Sequence, residues 1–203
     1  MIFLRYESFQ QYIRYYPVTS LLLLANLIMF LVVVFSPYER GEALIRYGAI
    51  HNLHGSPDFH TFVTSIFLHG SFDHLLFNSF ALFVFAPPLE RLLGKFRYAL
   101  IYLFSGVAGN IASEFFYTTV HSSPYISVGA SGAVYGLFGA YLFLILFRKG
   151  TLDPQSKKTI QTILVIGVIY SLLMANINLY AHLGGLVGGL LLFGLLLKFS
   201  YNR

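Results

Sequence analysis

Two stretches of this chain, residues 18–35 and 179–197, run for 18 and 19 residues without an Asp, Glu, Lys or Arg. An α-helix rises about 1.5 Å per residue, so each stretch is long enough to cross the hydrocarbon core of a bilayer. A third stretch, 133–147, is also free of charge. Charged residues make up 10% of the chain, against about 25% in ordinary soluble domains. The hydrophobic 57% is gathered into blocks instead of being spread evenly. A chain of 203 residues has the length of one soluble domain, but this blockwise pattern excludes that reading. An all-α, polytopic membrane bundle is predicted.

Six spans are predicted, at about 18–35, 72–89, 97–118, 129–147, 159–176 and 179–197. The domain is thus expected to cover 18–198, with segments 1–17 and 199–203 at its ends. The third span carries Asn110, Ser113 and Glu114, which are costly against lipid and are expected inside the bundle or near its outer end. The first connection, 36–71, is too polar to span, yet it holds Phe59, Phe62, Val63, Ile66, Phe67 and Leu68. It is expected to form short helices lying partly in the membrane interface. No cleavable signal peptide is expected, because Glu7 and several polar residues precede a long first span and no small-x-small site follows it. No sizeable soluble domain is expected at either end.

The basic residues set the orientation. Arg5, Arg14, Arg91, Lys95, Arg97, Arg148, Lys149, Lys157, Lys158, Lys198 and Arg203 fall on one side of a six-span chain, and Arg40 and Arg46 on the other. Eleven against two places both termini in the cytoplasm. In this setting the net charge of +5 reflects membrane orientation, and no nucleic-acid partner is expected. Spans two, four and six then start at the outer face. His74, Ser131 and His182 lie near those three starts, within about the outer third of the membrane.

That shared depth makes these residues candidates for chemistry. Ser131 sits in Gly129-Ala130-Ser131-Gly132 at the mouth of span four. Small neighbours permit close approach of a substrate, and a helix start offers free N–H donors. Such a site can hold a nucleophile, although small residues at a span end also serve simply to pack helices. His182 begins Ala181-His182-Leu183-Gly184-Gly185 on span six, with Gly185 and Gly189 on the same helix face. Gly132 and Gly136 form a matching pair on span four. If the two faces meet, Ser131 and His182 come within hydrogen-bond reach, where a histidine takes a serine proton. The alternative is a glycine-packed interface whose histidine reaches the outer surface. His74 and Asn78, at i and i+4 on span two, supply N–H donors suited to an oxyanion, or else make a polar contact between helices.

No aspartate lies in the outer part of spans four or six: Asp153 is on the opposite side, and Asp58 and Asp73 lie around the start of span two. A Ser–His dyad is therefore expected in place of a triad. With no cysteine there is no disulfide or thiolate site. There is no HExxH, His51, His54, His60 and His69 are scattered, and the spacing of His69, Asp73 and His74 is not that of a zinc site. No cofactor or metal is expected.

These residues resemble the rhomboid intramembrane serine proteases of the bacterial six-span type. The resemblance rests on Gly129-Ala130-Ser131-Gly132 with Tyr135, Ala181-His182-Leu183-Gly184-Gly185 with Gly189, and His74 with Asn78. It extends to His69-Gly70-Ser71-Phe72, Glu90-Arg91-Leu92-Leu93-Gly94 and Ser105-Gly106-Val107-Ala108-Gly109-Asn110, and covers roughly residues 59–190. It implies a serine endopeptidase that cleaves transmembrane segments of single-pass proteins near the outer face of a bacterial plasma membrane. In that reading Ser131 is the nucleophile and His182 its base, and the Ser131 backbone N–H, His74 and Asn78 line the oxyanion hole. Tyr135 packs beside the base, and Gly129, Gly132, Gly185 and Gly189 support the site. Span five and the loop over the site act as gates. Many members carry Trp-Arg in the first connection where this chain has His60-Thr61, a change that bears on the anchoring of that loop. Ser127, Asn110 and residues 118–128 are candidates to line the route of water.

The implied partners are transmembrane protein substrates and the lipid bilayer; the residues do not specify an oligomeric state. The competing class is a non-catalytic rhomboid-like binder of membrane proteins, although both reactive residues and their glycine frames are present. A small transporter fits less well, since spans four and six carry no charge and no two-halves repeat is visible.

Overall fold

A computed structural model describes residues 1–53, 55–120, 124–174 and 177–201. Its helices are α1 (Phe9–Tyr15), α2 (Pro17–Val34), α3 (Arg40–Arg46), α4 (Thr61–Thr64), α5 (Phe72–Leu93), α6 (Lys95–Phe115), α7 (Ser131–Phe147), α8 (Pro154–Leu173) and α9 (Leu179–Tyr201). A 3₁₀ turn, Ser65–Phe67, follows α4, and a π-helical turn, Phe116–Val120, ends α6. Five helices are long and apolar enough to cross a membrane: α2, α5, α6 with its π turn, α8 and α9. The shorter apolar helix α7 lies among them. The all-α membrane bundle is thus as expected, with two adjustments at its span ends. Ser131 is the first residue of α7, not its third, because Gly129 adopts φ +125° and Ala130 is the cap. The fifth helix starts earlier, at Pro154, because Asp153 caps it by accepting from Ser156 N at 3.0 Å, and it ends at Leu173. That bond and one from the Ser156 hydroxyl hold the Asp153 carboxyl below the usual carboxylate range. The last two residues of the expected fifth span, 175 and 176, lie outside the described residues.

Helix ends in a bilayer need partners for their free N–H groups. The start of α2 takes them from α5. Both carboxyl oxygens of the buried Glu90 accept from this end, from Val18 N at 2.9 Å, Thr19 N at 2.8 Å and the Thr19 hydroxyl at 2.6 Å. A second repair involves Pro87 inside α5, which has no N–H for the carbonyl of Phe83 one turn back. The Tyr12 hydroxyl of α1 donates to that carbonyl at 3.0 Å, which fastens the amphipathic N-terminal helix to the bundle.

The centre of the bundle is α6, α7 and α9, whose backbones nearly touch. A Cβ placed on Gly185 or Gly189 of α9 would run into the backbone of Gly132 or Gly136 of α7, respectively. Both pairs advance together, so α7 and α9 run parallel. A Cβ on Gly106 would sit 3.4 Å from that of Ala133, while Gly136 faces Ser105 and Gly188 faces Ala108. These pairs run in opposite senses, so α6 is antiparallel to both. These relative directions are those of successive spans that alternate in direction. Lower down, Tyr98, Ile101, Tyr102, Leu137, Tyr141 and Phe193 fill the core. Outside, α8 is the least enclosed long helix, with 17% of its most apolar window buried, and Val165, Ile166, Ile169 and Leu172 face outward as lipid-facing residues should.

The first connection contains the expected short helices and one feature that was not anticipated. Its β1 (Ile50–His51) pairs antiparallel with β2 (Ile126–Ser127), Ile50 opposite Ser127 and His51 opposite Ile126. Thr61 donates its hydroxyl to Asp58 O at 2.6 Å and so closes the turn that starts α4. Replacing Glu90 by Ala strands the Val18 and Thr19 donors. The variant is expected to lose about 2–4 kcal/mol of stability in a denaturant titration of the detergent-solubilised protein.

Candidate active site

The loop before α7 is held from below. Gly129 N donates to Ser65 O at 2.9 Å, and the Asn110 amide of α6 donates to Ser65 Oγ at 2.9 Å and Phe62 O at 2.8 Å. Asn110 thus uses its amide hydrogens to fasten α4 and its 3₁₀ turn. Ser113 and Asn110 are buried as expected, and the Tyr125 hydroxyl donates to Glu114 near the C-terminal end of α6. Residues 121–123 of the proposed water route lie outside the described residues.

With φ +125° at Gly129 the chain turns abruptly into α7, and a side chain there would strike the His74 ring. His74 therefore lies directly against the turn that carries Ser131. Its own position follows from the start of α5, where Ser71 Oγ accepts from His74 N at 3.2 Å. The His69 ring packs edge-on against it, with centroids 5.1 Å apart. Burial, with His74 beside it, pushes His69 down to about 3, so it stays neutral at physiological pH. One turn along α5, the buried Asn78 donates from Nδ2 to His74 O at 3.0 Å. An amide NH₂ has two hydrogens, so one donor of Asn78 stays available. As the first residue of α7, Ser131 also has a backbone N–H with no partner inside its helix.

The other side of the site is α9. A Cβ on Gly132 would lie 3.3 Å from the carbonyl of Ala181, and Gly185 lies against the Gly132 backbone. Ser131 and His182 are the chain neighbours of Gly132 and Ala181, so their backbones belong to one close helix contact. His182 is 7% exposed, and its ring stacks on Tyr135 with centroids 4.1 Å apart and planes 10° from parallel. Its Nδ1 is hydrogen-bonded at 2.8 Å to the hydroxyl of Ser171 on α8. Among the described residues no hydrogen bond joins His182 to Ser131. Of the expected site residues, then, Tyr135, Gly132, Gly185 and Gly189 lie around His182 or its helix contact, and Gly129, His74 and Asn78 lie around the serine turn.

Two further residues belong to this site. Asn178 precedes α9: its Oδ1 accepts from Ala181 N at 3.0 Å, and its Nδ2 donates to Ser113 Oγ at 2.6 Å and Ser127 Oγ at 3.0 Å. It thus joins α6, β2 and the helix that carries the histidine. An Asn just ahead of an apolar run is a helix-start signal, and that was the sequence clue available. Ser171 is one of several hydroxyls in its span, beside Thr159, Thr162 and Tyr170, and gives no comparable signal.

The rhomboid domain family model matches residues 56–199. A Bacillus subtilis protein named "Putative rhomboid protease YdcA" is 44% identical over 193 residues, 94% of each chain. The rhomboid protease GluP of the same organism is 35% identical over 80% of this chain, which spans 31% of GluP. The rhomboid protease AarA of Providencia stuartii is 32% identical over 85% of this chain and 69% of AarA. The chain belongs to the rhomboid family.

Because the nearest obstacle to a side chain at Gly185 is backbone, no rotamer change relieves it. Gly185→Ala is expected to cost about 1–3 kcal/mol in the same unfolding titration. Gly41→Ala, where nothing lies within 4 Å, is the control and changes stability by no more than about 1 kcal/mol.

Proposed function

We propose that this rhomboid is an intramembrane serine endopeptidase in which Ser131 attacks the scissile carbonyl and His182 serves as its base. The observation that carries this reading is the apposition of the Ser131 turn and His182 across glycine backbones, with Nδ1 of the imidazole already engaged by Ser171. That engagement leaves Nε2 as the nitrogen to accept the serine proton. The Ser131 oxygen adds to the carbonyl carbon and its proton passes to Nε2. The negative charge that develops on the carbonyl oxygen is met by the Ser131 N–H, the free amide hydrogen of Asn78 and the His74 ring. Nε2 then returns the proton to the departing amine, leaving an acyl group on Ser131. Water, deprotonated by the same nitrogen, then adds to the acyl carbon, and as the C–O bond to Ser131 breaks Nε2 returns the proton to the serine oxygen and the acid is released. The substrate class is transmembrane segments of single-pass proteins, cut near the outer face, and the three named proteases among the relatives support the reaction type.

Ser131→Ala and His182→Ala are each expected to lower cleavage of a transmembrane reporter in proteoliposomes by at least about 10³-fold while the protein still folds. Asn78→Ala is expected to lower kcat by about 10²-fold. Cleavage by Ser131→Ala at the wild-type rate would remove the assignment. A fluorophosphonate probe should label Ser131 in the wild-type protein, whereas a non-catalytic membrane-protein binder would not react.

The same proposal places both termini in the cytoplasm and the site near the outer face, on the distribution of basic residues. The natural sequence has no cysteine, so a single introduced one is a unique reporter. In intact cells an impermeant maleimide is expected to label Tyr38→Cys in the first connection and to spare Lys149→Cys between α7 and α8. The reverse pattern would invert the topology.

A further inference from the structure

Ser171 stands at the edge of the proposed chemistry, on a helix that contributes no other polar group to the imidazole among the described residues. It is nearly fully buried, so each of its hydrogen bonds is made to protein. Two are present. The Ser171 hydroxyl donates to the carbonyl of Gly167, one turn back on α8, at 2.7 Å, and the same oxygen lies 2.8 Å from His182 Nδ1. A serine hydroxyl has one hydrogen and two lone pairs. With that hydrogen committed to Gly167, the oxygen can meet Nδ1 only as an acceptor, so Nδ1 must carry the proton. A neutral imidazole protonated on Nδ1 keeps the lone pair of Nε2 free.

The surrounding packing holds this arrangement in place. Tyr135 stacks under the imidazole and restricts it to one plane. The Tyr135 hydroxyl in turn reaches α8 at Gly167, where a side chain would collide with it. The ring is therefore held by its face on α7 and by one nitrogen on α8, while its backbone belongs to α9.

We infer that Ser171 is a positioning residue that fixes the Nδ1–H tautomer of His182 and so presents Nε2 to Ser131, doing with a neutral hydroxyl what a carboxylate does in a triad. The assignment rests on the Ser131–His182 reading above. A neutral acceptor stabilises a developing imidazolium less than a carboxylate does, so the effect of removing it is expected to be smaller than the roughly 10⁴-fold seen when a triad aspartate is neutralised.

The test uses the full chain in proteoliposomes. In the wild-type protein, ¹⁵N spectra of labelled histidine, with His182 assigned by the resonance missing from His182→Gln, are expected to show its proton on Nδ1 at neutral pH. A proton on Nε2 would overturn the inference, and this measurement needs no Ser171 variant to fold. Ser171→Ala is expected to lower kcat about tenfold at unchanged KM and to slow fluorophosphonate labelling of Ser131 in parallel, with Ser171→Thr restoring both. Wild-type kcat in Ser171→Ala, or a change confined to KM, would also overturn it. Inactive Ser131→Ala and His182→Ala beside a fully active Ser171→Ala would refute the positioning role alone. Active Ser131→Ala would instead refute the reading on which it rests.

Discussion

The near-contact of two helix backbones, α7 against α9, sets where the Ser131 turn and His182 lie relative to each other in this bundle. Hydrocarbon offers no hydrophobic gain for bringing two spans together, so the attraction has to come from close packing and from hydrogen bonds. Gly132, Gly136, Gly185 and Gly189 remove the side chains that would keep the helices apart. Once the backbones meet in parallel, Ser131 and His182 have little freedom of relative depth. The hydrogen bonds of Asn178 to Ser113, Ser127 and its own helix start then lock the outer end of the same interface. Glycine sets the distance, and the asparagine sets the register.

Three polar groups elsewhere each satisfy a backbone or side-chain group from a distant part of the chain. Glu90 closes the start of α2, Tyr12 covers the carbonyl exposed by Pro87, and Asn110 fastens the first connection beneath the loop of Ser131. In a bilayer such groups have no water to fall back on, which makes each of them a fixed joint. The site is consequently assembled from six separate segments, yet its geometry depends on few flexible side chains.

Much of this was legible in the chain before any coordinates. Uncharged blocks, the asymmetry of Lys and Arg, and glycines spaced four apart are local patterns with direct physical meaning, and they located the spans and the paired faces of α7 and α9. His74 and Asn78 were visible as an i, i+4 pair. The first residue of α7 was displaced by two positions because a positive φ at Gly129 has no signature beyond the glycine itself. The β1–β2 pair was invisible since two-residue strands show no alternation, and their partners are some 75 residues apart. Ser171 was invisible for a related reason: what matters is the imidazole 11 residues away that it meets across a helix turnaround.

The glycine seam has a consequence for how such a molecule can vary. Contacts made between main chains leave no side chain to trim, enlarge or swap, so the spacing of Ser131 and His182 cannot be tuned by small steps along α7 and α9. Substitution meets least resistance on the outward faces of α2 and α8, where side chains are exposed, and most along the seam itself.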